Sequence, residues 1–576
     1  MATESSSGET TAEQQIVLEL LRYLRAHKLY PTVEVLRRSV PGKDSVVAEL
    51  LSRGFLRTVA YRTGTYVQLT LAGFLKYGAD EAKLQLERFM RLLPIFVQAS
   101  RTDPHKTWSA QELGALTGVP PSEISLTLSL FAPDLPFASA LDFEGGMEGD
   151  WVTAIDFPPE GVDPEQNTRL LWQFEEAEGL DPSARLSQLR VSGYRALEQF
   201  DAQLEPLTVI IGANAAGKSS LFDLLALISF AAVNPLPPEL DPRSVGKTLF
   251  FVGGPESIEL GLYVTRGEAR PLRYQVKLSG PVGQPRVVSE RLESLRTDAE
   301  GRTSEAFTFL EFESGRGNLQ SVVQVRRSSP RPDPWTIPPN ELALRRSLDP
   351  TFSTLNEFRE YVSGWKFYTG FDVGMTATIR RPVFTEPEPV LKEDGSNLSA
   401  VLFHLMTEHP DKRDELETHL RSAVPSFQSL NVKSRGGPGT VMAVWREEGL
   451  KGELTLADLS DGTLKFLCWA TLCLSPRKPS LICIDEPELG LHPRVLPVLA
   501  GLMRQAATET QLLVTTHSPY FLSQFSLEEI AVMKKVEGRA VFARPASNDA
   551  LRQEIEELGT GELVRLHLSD ELEARS

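Results

Sequence analysis

The stretch LTVIIGANAAGKSSLFDLLALISFA, residues 207–231, decides the fold. Its apolar beginning predicts a buried strand, and the apolar periodicity of its last part predicts a helix. Between them, residues 212–219 match GxxxxGK[ST], the pattern of a phosphate-binding loop. Glycines let the backbone N–H groups of such a loop surround phosphate oxygens, and the dipole of the following helix adds to the attraction. The sequence therefore predicts an α/β fold that binds a nucleotide between this strand and this helix.

The residues of the loop have separate expected roles in holding ATP and Mg²⁺. The ammonium group of Lys218 is expected to reach the β- and γ-phosphates, and the hydroxyl of Ser219 is expected to bind Mg²⁺. The predicted nucleotide-binding residues of this stretch are Gly212, Ala213, Asn214, Ala215, Ala216, Gly217, Lys218, Ser219 and Ser220.

Two adjacent carboxylates follow a second apolar strand, LICI, at Asp485 and Glu486. An apolar run that ends in acids is typical of a buried central strand whose carboxyl end meets a ligand. We expect Asp485 to hold Mg²⁺ through water and Glu486 to activate the water that attacks the γ-phosphate. Glu486, His517 and Lys218 are the predicted catalytic residues, and Ser219 and Asp485 are the predicted metal ligands.

Two further motifs lie in the same half of the chain. LSDGT, residues 459–463, opens a predicted helix, and a helix start with a serine cap is a favourable site for an anion. TTHSP, residues 515–519, follows the apolar strand LLV and places His517 at a strand end. Alone, the first motif fits a simple helix cap and the histidine fits a structural role, so both depend on the phosphate-binding loop for their interpretation.

Together with LRVSGYRAL, EDGSNLSAVL and IDEPELGLHP, these motifs resemble the SMC/RecF/OLD side of the ABC ATPase superfamily, and in particular the ATPases of prokaryotic anti-phage defence systems of the Septu type. The resemblance implies an ABC ATPase head, with a mixed sheet, an antiparallel β lobe and a helical lobe. The sequence contains no long heptad tract, so coiled-coil arms are not expected. The segment after His517 is too short for a Toprim domain, so nuclease activity in this chain is not expected either.

The resemblance also implies how two chains share one nucleotide. In this superfamily the motif that LSDGT resembles binds the γ-phosphate of ATP held by the other subunit, which assigns Ser460 and Gly462 to the partner's nucleotide. It makes His517 the switch histidine and places Arg195 near the nucleotide. We therefore expect a homodimer, or a higher assembly, that closes around ATP. Gln320 and Gln324 are the two candidates for the glutamine of the Q-loop.

The composition limits which kinds of partner and which cellular compartment the sequence predicts. The chain has 576 residues and a net charge of −17, and residues 79–180 contain 18 Asp and Glu against 6 Lys and Arg. A strongly basic nucleic-acid surface is therefore not expected, although DNA stays possible. The pairs Arg326–Arg327, Arg345–Arg346 and Arg380–Arg381 are interpreted as solvated loop charges. Three cysteines in apolar surroundings, a polar N-terminal stretch and the lack of a membrane-length apolar run predict a cytoplasmic protein without a membrane partner.

Four regions follow from the pattern along the chain. Residues 1–15 are expected to be a disordered tail. Residues 16–78 contain three predicted helices and a hairpin, the order of a winged-helix domain, and residues 79–180 contain a second, acidic, winged-helix-like region in which Ser109 and Glu112 are placed to form a capping box. Residues 181–576 are expected to form the ATPase head, with a β and loop insertion at about 233–400.

Three functions remain open from the sequence. In the first, the chain senses a signal and regulates a separately encoded effector, such as a nuclease, in a defence complex. In the second, it is a RecF-like ATPase of DNA repair or chromosome maintenance that binds DNA itself. In the third, it is a DNA-binding regulator that ATP controls. The acidic region 79–180 favours the first.

Overall fold

The computed structural model describes residues 11–27, 30–61, 64–102, 107–131, 141–146, 149–154, 179–180, 183–237, 250–267, 269–280, 284–297, 303–321, 334–347, 349, 352–569 and 571–575. None of the helices within these ranges combines the length and the apolar character needed to cross a bilayer. The chain divides into two compact units. The first takes Met1–Glu178, Thr297–Phe307 and Gln320–Asp333, and the second takes Gly179–Arg296, Thr308–Leu319 and Pro334–Ser576.

The first unit packs its helices and two small sheets around an apolar core. Its helices are α1 (Ala12–His27), α2 (Val33–Ser39), α3 (Asp44–Ser52), α4 (Leu71–Tyr77), α5 (Ala79–Thr102), α6 (Ala110–Thr117) and α7 (Pro121–Phe131). Its strands are β1 (Leu56–Tyr61) and β2 (Gly64–Leu69), which form the expected hairpin, and β3 (Thr107–Ser109), β4 (Leu141–Gly146) and β5 (Gly149–Ala154), which form a second antiparallel sheet. The element order is the expected one, and the assignment to winged-helix domains stays a prediction.

Local capping sets two helix starts in this unit. Ser109 and Glu112 form the expected capping box at the start of α6. Helix α1 begins at Ala12, inside the segment expected to be a tail. The reason is a reciprocal cap, in which the hydroxyl of Thr11 accepts from the N–H of Gln14 and the side chain of Gln14 accepts from the N–H of Thr11. Residues 1–10 lie outside the described part of the chain.

A mixed six-stranded sheet forms the centre of the second unit, in the order β15-β20-β21-β8-β22-β23. Its strands are β8 (Leu207–Ile211), β15 (Lys366–Tyr368), β20 (Leu481–Asp485), β21 (Gln511–Thr515), β22 (Ile530–Val536) and β23 (Arg539–Ala543). All neighbours are parallel except β22 and β23, which form an antiparallel hairpin. Because β8 and β20 are both parallel to β21, which lies between them, the phosphate-binding loop and the two acids leave the sheet at the same edge.

An antiparallel eight-stranded sheet adjoins this centre, in the order β14-β13-β12-β11-β10-β9-β6-β7. Its strands are β6 (Arg185–Ser192), β7 (Phe200–Gln203), β9 (Ser257–Arg266), β10 (Ala269–Ser279), β11 (Arg286–Thr297), β12 (Thr303–Glu313), β13 (Arg316–Leu319) and β14 (Trp335–Thr336). The expected insertion is thus continuous with β6 and β7, which precede the phosphate-binding loop. Gln320 directly follows β13, and Gln324 lies outside the described residues.

Helices and a small third sheet complete the second unit. The strands of that sheet are β16 (Val383–Phe384), β17 (Phe427–Ser434), β18 (Thr440–Glu447) and β19 (Leu454–Thr455). The helices are α8 (Lys218–Ala231), α9 (Ser353–Ser363), α10 (Leu398–Glu408), α11 (Pro410–Ala423), α12 (Asp461–Leu474), α13 (Leu496–Ala507), α14 (Pro519–Leu522), α15 (Asp549–Leu558), α16 (Thr560–Leu568) and α17 (Glu571–Arg575). These layers confirm the predicted α/β class, with a mixed sheet, an antiparallel β lobe and a helical part.

One expectation about surface charge is wrong. Arg380 is not a solvated loop charge but is buried, because backbone carbonyls and one carboxylate accept its N–H groups. Arg345 and Arg346 are half-buried and exposed, respectively, and both pair with Glu341. The pair at 326–327 lies outside the described residues. The three cysteines are buried, as expected from their apolar neighbours.

Candidate nucleotide site

The phosphate-binding loop follows β8, a strand that is buried at every position. Gly212 has a φ of +147°, and a Cβ at this position would overlap the carbonyl of Met533 on β22. Gly217 has a φ of +111° and forms the N-cap of α8. Both positions therefore require glycine, one for the close approach of two strands and one for the turn into the helix.

Lys218, the first residue of α8, points back into the loop and is only 8% exposed. Its Nζ donates to the carbonyl oxygens of Gly212 at 2.6 Å and Ala213 at 3.2 Å. Burial lowers the pKa of its ammonium group, and the negative charges of Asp485 and Glu486 oppose this shift. The loop thus holds the ammonium group of Lys218 at the place where the motif predicts that phosphate binds.

The two predicted acids stand at the end of β20, between β15 and β21. The carboxylate of Asp485 accepts from the hydroxyl of Thr515 on β21. Glu486 has a φ of +48°, and its N–H donates to the carbonyl of Thr515 at 3.1 Å. A positive φ is unfavourable for glutamate and turns the chain sharply at the sheet edge. Consequently the side chains of both acids line the same cavity instead of pointing to opposite faces of a strand.

His517 lies beside Glu486, with 3.6 Å between its Nε2 and the Oε1 of the glutamate. Burial and the nearby Lys218 lower the pKa of the imidazole, while Glu486 and Asp485 oppose the shift. The lowered pKa favours the neutral imidazole, in which one ring nitrogen can donate a hydrogen bond while the other accepts one.

A cavity of about 870 Å³ brings most of the predicted site residues together. The predicted residues that line it are Arg195, Asn214, Ala215, Ala216, Gly217, Lys218, Ser219, Ser220, Asp485, Glu486 and His517. Arg195 has a φ of +47°, and its Nη1 donates to Asp223 of α8 at 2.5 Å. A guanidinium group, an ammonium group and the start of a helix thus face a space large enough for a nucleotide.

Sequence reasoning missed several residues that line the cavity. They are Ala196, Phe250, Phe251, Val252, Lys535, Glu537 and Gly538. Glu537 and Gly538 both have positive φ values, as the tight turn between β22 and β23 requires. That turn can be recognised in the sequence, but its position beside the phosphate-binding loop depends on the order of strands in the sheet.

Sequence reasoning also missed Glu488, a largely buried carboxyl group two residues after Glu486. Its Oε1 accepts from the hydroxyl of Thr516 at 2.5 Å, and that hydroxyl accepts from the N–H of Ser518 at 3.0 Å. Burial raises the pKa of Glu488, and the hydrogen bond from Thr516 opposes the shift. Glu488 therefore fixes the segment on both sides of His517 to the segment that follows β20 and carries Glu486.

Ser460 and Gly462 lie at the start of α12, and neither is among the described residues that line the cavity. The hydroxyl of Ser460 accepts from the N–H of Thr463 at 3.2 Å, so the serine is the N-cap of the helix. Ser460 and Asp461 are exposed. A polar helix start is thus exposed to solvent and does not line the cavity that the phosphate-binding loop of its own chain forms.

The oxygen atoms at the cavity suit Mg²⁺. Ser219 supplies a hydroxyl and Asp485 a carboxylate, and both line the cavity. Within the described residues no group of three or more His, Cys, Asp and Glu side chains could hold a metal ion. Mg²⁺ at a nucleotide site commonly takes one or two protein oxygens and completes its shell with phosphate and water, so two protein ligands are sufficient.

The part of the chain that forms this site matches a known protein family. Residues 207–523, more than half of the chain, match the family described as "AAA domain, putative AbiEii toxin, Type IV TA system". The chain belongs to this AAA-domain family. The matched segment of the AAA domain begins at β8 and ends after His517, so it contains the phosphate-binding loop, the helix start at Ser460 and both acids.

Three solved structures to which the chain is similar are heads of SMC proteins. An Smc head bound to the C-terminal winged-helix domain of ScpA is 12% identical, covers 62% of this chain and 96% of its own, and has a TM-score of 0.38. An Smc head with an extended coiled coil, bound to the C-terminal domain of ScpA from Pyrococcus furiosus, is 12% identical and covers 65% and 100%, with a TM-score of 0.38. The SMC head domain of Thermotoga maritima is 12% identical and covers 62% and 98%, with a TM-score of 0.31. Similarity at this level transfers neither a partner nor an activity to the AAA-domain chain.

Proposed function

We propose that this protein binds and hydrolyses ATP between two copies of the chain and that the resulting change of state regulates a separately encoded effector in a prokaryotic defence complex. The observation that carries the proposal is the cavity in which Lys218, Ser219, Asp485, Glu486 and His517 meet. An ammonium group, a helix start, two acids and an imidazole around one space are the kinds of group that bind phosphates and promote phosphoryl transfer to water.

Each of these side chains has a step in the proposed reaction. Lys218 exchanges the carbonyls of Gly212 and Ala213 for phosphate oxygens when ATP enters. Glu486 accepts a proton from the attacking water, and His517 forms hydrogen bonds to that glutamate and to the γ-phosphate. Mg²⁺, held by Ser219 and Asp485, would neutralise charge on the phosphates.

The exposed helix start at Ser460 supports the two-chain site. A capped helix N-terminus attracts anions, and this one does not face the cavity of its own chain. A second copy related by a twofold axis would bring it to the phosphates of the first copy, and the same contact would repeat at the second nucleotide. ATP then binds the closed dimer better than the separate chains, which is what drives closure.

The regulatory role is supported by the family and by charge. The family description names a toxin of a Type IV TA system, which is compatible with a defence module. The region 79–180 is strongly acidic, and phosphate contacts need lysine and arginine. This composition favours a protein partner over DNA for the N-terminal part of the chain.

ATPase measurements on the full chain test the proposal. We expect slow hydrolysis that Glu486→Gln abolishes, whereas Glu528→Gln, an exposed acid outside the cavity, leaves it unchanged. We further expect that the product of the neighbouring gene co-purifies with the chain. Strong stimulation by DNA that falls steeply with salt would instead support a DNA-binding ATPase, and hydrolysis that survives Glu486→Gln would contradict the assigned chemistry.

A further inference from the structure

Arg380 is a buried arginine that spans two distant parts of the second unit. Its side chain is only 4% exposed, and it belongs to a short 3-10 turn, Thr378–Arg380. The guanidinium group donates to the backbone carbonyls of Val373 (3.0 Å), Gly374 (3.2 Å), Leu456 (3.1 Å), Ala457 (3.0 Å) and Leu459 (2.9 Å), and to the Oδ1 of Asp461 (2.6 Å). Nε faces residues 373–374, whereas Nη1 and Nη2 face residues 456–461.

The second set of acceptors is the segment that leads into α12. The carbonyl of Leu459 belongs to the residue directly before Ser460, and Asp461 belongs to the first turn of the helix. Arg380 therefore contacts the chain on both sides of Ser460 without contacting the serine itself. The hydroxyl of Ser460 and the start of the helix stay exposed.

Only a guanidinium group fits this arrangement. Its planar fork carries donors on several edges, so it can serve carbonyls on one side and a carboxylate on the other at the same time. A lysine at the same position would carry its donors on one atom and could not join residues 373–374 to residues 456–461. The burial of such a charge is costly unless its N–H groups are satisfied, which argues that its place in the fold is specific.

The other side of the helix start is also held. The Nζ of Lys465 donates to the carbonyl of Leu489 at 3.0 Å, and a Cβ on Gly462 would lie 2.9 Å from the carbonyl of Gly490. Helix α12 is thus fixed on one flank by the segment after Glu486 and at its beginning by Arg380. Of these two supports, only Arg380 holds the residues directly before Ser460.

We infer that Arg380 is a positioning residue for the partner's nucleotide: it holds Ser460 and Gly462 in the orientation in which they receive the γ-phosphate bound to the other chain. This inference rests on the proposed two-chain site. It predicts that Arg380 acts in trans, although its contacts are all within its own chain. Arg381, the next residue, is exposed, and the hydrogen bond described for its side chain goes to the carbonyl of Thr376, so it offers a matched control.

A measurement of dimer formation distinguishes a positioning role of Arg380 from a role in folding alone. In the Glu486→Gln background, Arg380→Lys is expected to raise the protein concentration needed for the ATP-dependent dimer by about tenfold or more. This is the effect expected when one or two hydrogen bonds from a charged group are lost. ATP affinity of the single chain, measured with a fluorescent ATP analogue at concentrations below dimer formation, should be unchanged because Lys218 and Ser219 are intact. Asp461→Asn, an exposed change that weakens the ion pair with Arg380, should shift the dimer in the same direction, and it replaces Arg380→Lys if that variant does not fold. Arg381→Lys should have no effect.

Mixing two inactive variants tests the trans assignment directly. At protein concentrations too low for the Arg380→Lys homodimer to form, chains with Arg380→Lys and chains with Lys218→Ala are each inactive alone, but a mixed dimer has one intact site. Random mixing should therefore recover about a quarter of the wild-type ATPase rate, since about half of the dimers are mixed and each has one of two sites. A purely structural defect in Arg380→Lys would not be rescued in this way.

The pair Ser460→Ala and Lys218→Ala distinguishes failure of the inference from failure of the proposed function. Recovery with this pair but not with Arg380→Lys would overturn the role of Arg380 and leave the two-chain site in place. Lack of recovery with both pairs would overturn the two-chain site, and the role of Arg380 with it. An equal loss of dimer in Arg381→Lys would also contradict the inference.

Discussion

Thr516 is the residue through which Glu488 acts on the segment that carries His517. It is fully buried, and its hydroxyl both donates to Glu488 and accepts from the N–H of Ser518. Thr516→Val keeps the shape but removes this bridge. We expect kcat to fall about tenfold, the worth of a buried hydrogen bond to a charged group, while ATP affinity is retained because Lys218 is untouched.

Steady-state kinetics and a binding titration of the Thr516→Val variant check this expectation. Thr508→Val is the control, because Thr508 is exposed at the end of α13 and donates to Gln505. If Thr516→Val lowered ATP affinity and kcat together, or left both unchanged, the positioning of His517 through Glu488 would be wrong.

The close packing of β8 on β22 makes the start of the phosphate-binding loop sensitive to a single methyl group. A Cβ at residue 212 would overlap the carbonyl of Met533 and would also occupy a φ of +147°. Gly212→Ala should therefore cost about 1–3 kcal/mol of unfolding free energy and should weaken ATP binding. Chemical denaturation and a fluorescent ATP analogue measure the two effects.

Gly501→Ala is the matched control for this change. Gly501 lies in α13, and a Cβ there meets nothing within 4 Å. Alanine is the better helix former, so this variant should gain about 0.5–1 kcal/mol. Equal losses of unfolding free energy in both variants would show that the close packing of β8 against β22 does not explain the sensitivity of the loop.

Glu290 attaches a 3-10 turn, Ala343–Arg346, to the antiparallel sheet. Its carboxyl group accepts from the N–H groups of Ala343 (2.5 Å) and Leu344 (2.9 Å) and from the hydroxyl of Tyr274 (2.8 Å). Burial raises its pKa from 4.5 to about 7. The folded state therefore keeps a proton that the unfolded state has released between these values, so the stability from this group is complete below pH 4.5 and is lost as the pH rises through about 7.

Glu290→Gln should remove that part of the pH dependence. We expect the thermal midpoint of the wild type to fall relative to that of the variant between about pH 5 and pH 7, and the difference to stay constant above that range. Glu311→Gln, at an exposed position on β12, is the control and should follow the wild type. A variant whose midpoint falls in parallel with that of the wild type would contradict the assignment.

The parts of this fold that the sequence predicts are those with a local signal. The strand–loop–helix around Lys218, the strand before Asp485 and the cap at Ser109 each depend on neighbours a few residues away, and all are present. Strand β15 (Lys366–Tyr368) has only three residues, too few for a periodic pattern, and its place beside β20 comes from the sheet as a whole.

The same limit applies to the site. Residues 250–252 and 535–538 meet the phosphate-binding loop only after the sheets have formed, so no spacing in the sequence announces them. Arg380 belongs to a pair of arginines, which most often means a solvated loop. Its burial follows from carbonyls more than seventy residues away, such as that of Leu456.

At the scale of the whole molecule, the proposed nucleotide site needs two copies of the chain. The acids and the phosphate-binding loop of one chain line the cavity, while Ser460 and Gly462 start a helix and are not among the described residues that line it. A symmetric dimer in which each chain completes the other's site accounts for both observations. It also makes the nucleotide the link that holds the closed state together, so that hydrolysis releases it.

The mass of the Glu486→Gln chain in solution tests this central claim most directly. Light scattering after size exclusion should give 63.8 kDa without nucleotide and close to twice that mass with ATP, because the variant binds ATP but does not hydrolyse it. Adding Ser460→Ala to the same chain should prevent the ATP-dependent increase and leave ATP binding intact. A Glu486→Gln chain that binds ATP and keeps the mass of a single copy would contradict the account.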